Sequence, residues 1–351
     1  MDHAHWMSRC LSLARLGAAR AAPNPMVGAV LVHRDRVLAE GWHQRPGAAH
    51  AERDCLNRFG DGVIPEDAVL HVNLEPCAHQ GRTPPCADLL ISRGVKRVVI
   101  AHRDPFPQVN GEGLRRLRDH GVAVNEGVLE GEARWMNRRF LTSVHEQRPY
   151  ITLKWAQSAD GFLDDRGRTA RISSAATDAL VHRWRSEEQA ILVGSRTVVS
   201  DDPRLDVRLV DGPSPLRVVL DRSGITASSA RVFDGSRPTL LFTGLARAGL
   251  SAEQCVLAAA DDPIANLLQE LHRRMIRSLL VEGGAALLGH FIGRGLWDEA
   301  RIIHGTARFT AGTRAPSLSA AITRTMEIGD DRIELIVNGM RQQAPAPAWP
   351  W

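Results

Sequence analysis

Apolar positions along the first third of the chain alternate between helical and strand spacing. Trp6, Cys10, Leu13 and Gly17 recur at helical intervals and predict a first helix, stopped by Pro23-Asn24-Pro25. Gly28 to Val32 reads as a strand, His33-Arg34-Asp35 as a turn, and Val37 to Trp42 as a second strand. A short helix opens near His50 and runs to Phe59, and Val69 to Leu74 is a buried strand. Pro85 to Arg93 reads as a helix with proline near its start and Gly94 at its end, the expected asymmetry. Arg97 to Ala101 is another strand, followed by a helix from Gly113 to His120. This alternation predicts an α/β layered domain with a largely parallel core.

Across Val144 to Pro149 the pattern loses apolar content, which places a domain boundary there, with one domain over residues 1–146 and a second over 147–339. The second domain is again α/β. Its predicted strands are 150–155, 190–193, 216–220, 239–242, 278–282 and 300–304, and its helices 175–186, 263–274 and 285–294. The closing residues 340–351 are Pro-rich and are expected to be a disordered tail.

Composition adds little to this picture but excludes several classes. At 351 residues, 44% hydrophobic and 24% charged, the chain suits two ordinary globular domains better than one. The formal charge of +4, from 44 basic against 40 acidic residues, suits an anionic substrate such as a sugar phosphate. It does not demand nucleic acid. One tyrosine, 5% aromatics and no dense basic tract argue against an RNA-binding or tRNA-editing protein. Five sparse cysteines do not make a disulfide framework, Met1-Asp2-His3-Ala4-His5 has no signal-peptide character, and no apolar run approaches the roughly 18 residues of a membrane span. A reducing, cytoplasmic setting, no membrane partner and a homo-oligomeric state are the corresponding expectations.

Chemistry concentrates in three places in the first domain. His50-Ala51-Glu52 falls at a helix start, Cys77 follows a buried strand, and Cys86 opens another helix. One imidazole and two thiolates make a three-ligand zinc site with a fourth position open to water, whose pKa the metal lowers towards neutrality. Glu52, two residues from a ligand, is then the proton shuttle. A structural zinc knuckle is the alternative and needs a fourth ligand, which His79 could supply. Cys10, Cys55 and Cys255 read as packing residues.

The usual deaminase pattern has two residues between its cysteines; here eight stand between Cys77 and Cys86. The run Leu74 to Cys86 closely resembles the deaminase domain of the bifunctional riboflavin-biosynthesis deaminase–reductases, as do Pro23 to Gly28, Gly41-Trp42-His43 leading to Gly47 and His50-Ala51-Glu52, and Asp104 to Val109. The resemblance implies a cytidine-deaminase-like three-layer fold, and as substrate a diamino-ribosylaminopyrimidinone 5′-phosphate that loses its ring amino group. Asn24, His43 and His79 match positions lining that family's pyrimidine site.

In the second domain there is no dinucleotide-binding G-x-G-x-x-G; the glycine pair of Val281-Glu282-Gly283-Gly284 ends a strand ahead of a helix, where backbone N–H groups can meet phosphate. Tyr150 to Lys154, Ser158 to Gly161, Ala190 to Gly194, Thr197 to Leu205 and Val281 to Gly284 resemble the same family's reductase domain, so that the resemblance covers residues 6 to 305. It implies a dihydrofolate-reductase-like fold and NADPH-dependent reduction of the ribose to a ribityl group. By this matching Lys154, Thr169, Arg185, Leu205, Arg208 and Glu282 contact the substrate, the arginines suiting its phosphate. Ala156, Arg171, Thr197, Asp201 and the run Gly284, Ala285, Ala286, Leu287, Leu288, Gly289 and His290 contact the cofactor. Two departures stand out: Thr169, Arg171 and Ile172-Ser173-Ser174 replace the usual Ser, Trp and Ile-Thr-Ser, and Ala285-Ala286 replace the usual Pro-Thr. They motivate an alternative in which the second domain is a degenerate, non-reducing module.

Overall fold

The computed structural model describes residues 2–79, 84–106 and 109–339. The expectations placed on residues 80–83 of the cysteine spacer, on Pro107-Gln108 and on the 340–351 tail lie outside the described residues. The chain folds as two compact units, with the boundary between Glu146 and Gln147.

The first unit runs α1 (His3–Ala14), β1 (Gly28–His33), β2 (Arg36–Trp42), α2 (Ala51–Phe59), β3 (Val69–Leu74), α3 (Cys86–Ser92), β4 (Arg97–His102), α4 (Glu112–Asp119), β5 (Ala123–Asn125), α5 (Glu130–Met136) and α6 (Arg138–Glu146). Its sheet order is β2-β1-β3-β4-β5. β1 pairs antiparallel with both β2 and β3, whereas β3–β4 and β4–β5 are parallel. The largely parallel core expected from the alternation is therefore a mixed sheet, because β1 and β2 form a hairpin. Arg34 and Asp35 turn it with positive φ angles of 49° and 59°. Alternate strand residues feed two cores. Leu31, Leu70, Val72, Val98 and Ile100 meet α2, α3 and α4, while Val30, Val32, Val69 and Val99 meet α1 and α5. The result is an α/β/α three-layer unit. Helix α5 escaped the apolar pattern because it buries only Ala133.

The second unit runs β6 (Tyr150–Gln157), α7 (Ala175–Glu187), β7 (Ala190–Gly194), α8 (Ser195–Asp201), β8 (Leu216–Asp221), β9 (Thr239–Thr243), β10 (Glu253–Val256), α9 (Pro263–Arg273), β11 (Ser278–Val281), α10 (Ala285–Gly293), β12 (Glu299–His304), β13 (Arg324–Ile328) and β14 (Asp331–Val337). The sheet order is β10-β9-β8-β7-β11-β6-β12-β14-β13, parallel from β10 to β12 and closed by the antiparallel β14 and β13. This mixed sheet has the dihydrofolate-reductase-like character expected of the second domain. Helices α9 and α10 bury Leu267, Leu271, Leu288 and Phe291 against one face of the sheet, and α7 and α8 cover the other through Trp184 and Val198. The strand β11 enters between β7 and β6, so the carboxyl ends of three neighbouring strands open side by side. That edge is where open α/β sheets bind ligands.

The entry into β6 is fixed by charge. Arg148 forks onto Asp298 at 2.6 and 2.7 Å, and the same carboxylate accepts the Ile151 N–H at 2.7 Å, with both side chains under a tenth exposed. Removing one partner of a buried pair leaves the other charge desolvated and uncompensated. Asp298→Ala should therefore destabilise the second unit by about 3–5 kcal/mol in denaturant melts. A loss under about 1 kcal/mol would mean that solvent reaches the pair.

Candidate active sites

The candidate metal ligands come from three separate segments. α2 lies directly on β2, since a Cβ on Gly41 would stand 2.2 Å from the Cys55 nitrogen. The Asp54 carboxylate also accepts the Trp42 N–H at 3.1 Å. This contact brings His50, the N-cap of α2, to the carboxyl end of the sheet. Cys77 leaves β3 three residues beyond its end, and its carbonyl accepts the Ala87 N–H at 3.1 Å from the first turn of α3. Cys86 begins that helix, and its N–H donates to Cys77 Sγ at 3.3 Å.

His50 Nδ1 stands 3.5 Å from Cys77 Sγ and 3.4 Å from Cys86 Sγ. Among the described residues these three form the one cluster of potential metal ligands, their donor atoms all within 4.8 Å of one another. His79 is exposed and does not join it, which removes the four-ligand knuckle. A nitrogen and two sulfurs closing on one point fit zinc. Hydrogen bonding from Cys86 holds the Cys77 thiol down at about 4, while Cys86, which keeps the shared proton, is pushed up. His50 is raised by its contact with Cys77, against burial. Metal binding needs both thiols ionised and the imidazole neutral, so it releases protons.

Glu52 is 3% exposed, and burial raises its carboxyl to about 7 despite the opposing effect of His50. Beside it, the His43 and His50 rings meet edge to face at 5.6 Å. His43 Nδ1 lies 3.0 Å from the Ala49 carbonyl, which can only accept, so Nδ1 carries the proton. Nε2 then accepts from Asn24 Nδ2 at 3.0 Å, and burial keeps the ring neutral by lowering its pKa. The sequence-predicted Asn24, His43, His50 and Glu52 are thus brought together. Cys10 and Cys55 are fully buried, and Cys255 packs partly buried against the core.

Sequence reasoning gave no role to Glu75. Its buried carboxylate accepts four backbone N–H groups, from Asp104 (3.2 Å), Gly111 (3.0 Å), Gly113 (3.0 Å) and Leu114 (3.3 Å). Burial raises its pKa and these donors oppose the rise. Gly113 sits so close that a Cβ would stand 1.9 Å from the Pro76 carbonyl. Glu75 thereby ties the residues preceding Cys77 to Asp104, Gly111 and the first turn of α4. Its only signal in the chain was membership of the Leu74–Cys86 run.

At the second unit's sheet edge, Arg185 Nε and Nη2 both lie 2.8 Å from the Glu282 carboxylate, and Lys154 Nζ lies 3.7 Å from it. Burial would raise Glu282, but Arg185 and Lys154 hold it at about 2. Burial lowers Lys154, with Glu282 opposing. Arg185 Nη1 also reaches the Asp206 carbonyl at 3.3 Å. Leu205 is buried at a positive φ of 53°, and Arg208 is half exposed with Nη1 2.6 Å from Asp206.

The cofactor candidates divide. Thr169 Oγ1 donates to Asp201 at 2.6 Å, and the Thr197 hydroxyl stands 3.7 Å from where a Cβ on Gly284 would be. Gly284 caps α10, whose positive end faces this edge, and Ala156 lies on the neighbouring β6. Leu287 and Leu288, however, point into the hydrophobic core, so within the run only Gly284, the two alanines, Gly289, His290 and backbone groups face outwards. Arg171 pairs with Asp178 at 2.7 Å on the surface. Backbone N–H groups at the capped end of α10 fit a cofactor carrying phosphates.

Together the two arrangements define a zinc-dependent deaminase unit joined in one chain to a nicotinamide-dependent reductase unit. Residues 1–102 match the family described as the cytidine and deoxycytidylate deaminase zinc-binding region, and residues 149–319 match the RibD C-terminal domain. The chain is 40% identical over 304 residues to the riboflavin biosynthesis protein RibD of Aquifex aeolicus, covering 84% of each. It is 34% identical to that of Synechocystis, covering 99% of this chain and 95% of the other. Among solved structures, the diaminohydroxyphosphoribosylaminopyrimidine deaminase/5-amino-6-(5-phosphoribosylamino)uracil reductase of Thermotoga maritima superposes with a TM-score of 0.87 at 34% identity, covering 95% of this chain and 98% of that one. Acinetobacter baumannii RibD gives 0.88 at 32% identity with the same coverages. The chain belongs to the RibD family of riboflavin biosynthesis proteins.

Glu75→Gln puts an amide NH2 where one accepting oxygen now meets two N–H donors. Leaving such buried donors unsatisfied should cost about 1–3 kcal/mol of stability in urea titrations and speed zinc loss to a chelator. Wild-type behaviour in both would remove Glu75 from the support of the metal site.

Proposed function

We propose that this protein catalyses two consecutive steps of riboflavin synthesis. The first is hydrolytic deamination of 2,5-diamino-6-ribosylamino-4(3H)-pyrimidinone 5′-phosphate, assigned to residues 1–146. The second is NADPH-dependent reduction of the ribosyl side chain to ribityl, assigned to residues 147–339. The observation that carries the reading is the convergence of His50, Cys77 and Cys86 beside the buried Glu52.

In the deamination, zinc held by the three ligands supplies Lewis acidity at the reacting centre. Water adds to the ring carbon bearing the amine, the C–N bond breaks, and ammonia leaves. Glu52 takes the water's proton and hands it to the departing nitrogen; a carboxyl near 7 is suited to both transfers at neutral pH. Asn24 and the neutral His43 bind and orient the pyrimidine, with His79 at the rim. In the reduction, NADPH supplies the hydride to C1′ of the open-chain ribose, and a solvent proton balances the reaction. Lys154, Thr169, Leu205 and Glu282 hold the substrate, and Arg185 and Arg208 take its 5′-phosphate. Ala156, Arg171, Thr197, Asp201, Gly284, Ala285, Ala286, Gly289 and His290 hold the cofactor, with Leu287 and Leu288 contributing only through their backbone because their side chains face the core.

Among the described residues no helix is long and apolar enough to cross a membrane. The cysteines are free, in keeping with a reducing, cytoplasmic compartment. A homo-oligomer without a nucleic-acid partner completes the reading.

A coupled assay on the pyrimidine substrate should release ammonia and then oxidise NADPH. Ammonia release without NADPH oxidation would leave a deaminase with a non-reducing second unit. Glu52→Gln should retain zinc, measured by metal analysis, yet lose at least about 10²-fold in ammonia release. Cys86→Ala should lose the metal itself. Normal deamination by Glu52→Gln would overturn the shuttle assignment.

A further inference from the structure

The reductase reading gives Arg208 the substrate's 5′-phosphate, yet that side chain is half exposed and pairs with Asp206, two residues away. What fixes its place is the path of its backbone. Three hydrogen bonds hold the segment: Arg185 Nη1 to the Asp206 carbonyl at 3.3 Å, the Val207 N–H to Ser214 Oγ at 3.0 Å, and the Arg208 N–H to His182 Nδ1 at 3.2 Å. Only the last falls on Arg208 itself.

His182 is 3% exposed and lies on α7 three residues before Arg185, so the two share a helix face. Because a backbone N–H donates to Nδ1, that nitrogen is unprotonated and the ring is the neutral Nε2–H tautomer. Burial lowers its pKa, and Arg185 and Arg208 lower it further against Asp206 and Glu282. One helix face therefore carries both the guanidinium that grips Glu282 and the imidazole that anchors Arg208. We propose that His182 is a positioning residue of the reductase, acting through Arg208 to set the 5′-phosphate subsite.

This inference rests on the assignment of Arg208 to the phosphate, and the test separates the two. Asn places an amide oxygen close to where Nδ1 stands, whereas Leu fills space without accepting. His182→Leu should raise the KM for the phosphorylated substrate about 10-fold, the value of one lost hydrogen bond. kcat and the KM for NADPH should stay within about twofold. His182→Asn should restore the KM. The Leu effect should vanish on substrate treated with phosphatase, and should not add to that of Arg208→Ala in a double-mutant cycle. Equal impairment by folded Asn and Leu variants would reduce His182 to a packing role and overturn the proposal, as would full additivity with Arg208→Ala. If His182→Leu does not fold, a raised KM in the folded Asn variant overturns it, and a wild-type KM there sustained only while Arg208 is present upholds it. Should Arg208→Ala itself leave the KM for phosphorylated substrate unchanged, the phosphate assignment fails instead.

Discussion

Buried carboxylates that accept backbone N–H groups hold both units in the shape their chemistry needs. Glu75 gathers four such donors beside the metal ligands, and Asp298 gathers the Arg148 fork and the Ile151 N–H where β6 begins. Asp331 takes the Ser174 N–H and hydroxyl and the Thr177 hydroxyl at the start of α7. Asp221 takes the Ile225 and Thr226 N–H groups and the Thr226 hydroxyl at the end of β8. Each fixes a loop to the end of a strand or helix. A desolvated carboxylate is costly unless fully bonded, so these contacts permit one loop path and penalise others.

Glu52 is the instructive contrast. It is as buried as Glu75, but it is not spread over several loops. Burial raises both carboxyls, but at Glu75 four backbone N–H donors oppose the rise, whereas at Glu52 burial carries it to about 7. Glu282 takes the opposite course: largely enclosed, it is held ionised by Arg185 and Lys154. Of these three carboxylates, Glu75 bonds backbone N–H groups, Glu52 holds its proton affinity near neutrality and Glu282 pairs with two cations, and the difference lies in their neighbours.

Both sites sit where strands end. The zinc ligands follow β2 and β3 in chain order and meet at the carboxyl edge of the first sheet. In the second, β11 slips between β7 and β6, so residues about 40 to 130 positions apart line one edge. Placing chemistry on loops at a strand edge lets the sheet stay rigid while the loops carry the reacting groups.

The sequence alone settled the types of chemistry. A histidine, two cysteines and a glutamate, in order and each beside an element boundary, marked the candidate donor set and the proposed proton carrier, since those properties belong to the side chains. Strong apolar periodicity also marked β3, β4 and β11, which are buried almost throughout, and α9, which buries one face through Ile264, Leu267, Leu268 and Leu271. It could not show that β1 runs antiparallel to β3, because strand order and direction depend on pairing between distant segments. Nor did it mark α5, which buries one residue, or the edge strand β13, half exposed along its length. Tertiary structure alone decided that His79 stays outside the metal cluster and that Leu287 and Leu288 face the core. It also decided that Glu75 and His182 act on residues far along the chain. Periodicity records which residues are buried; only packing decides what they are buried against.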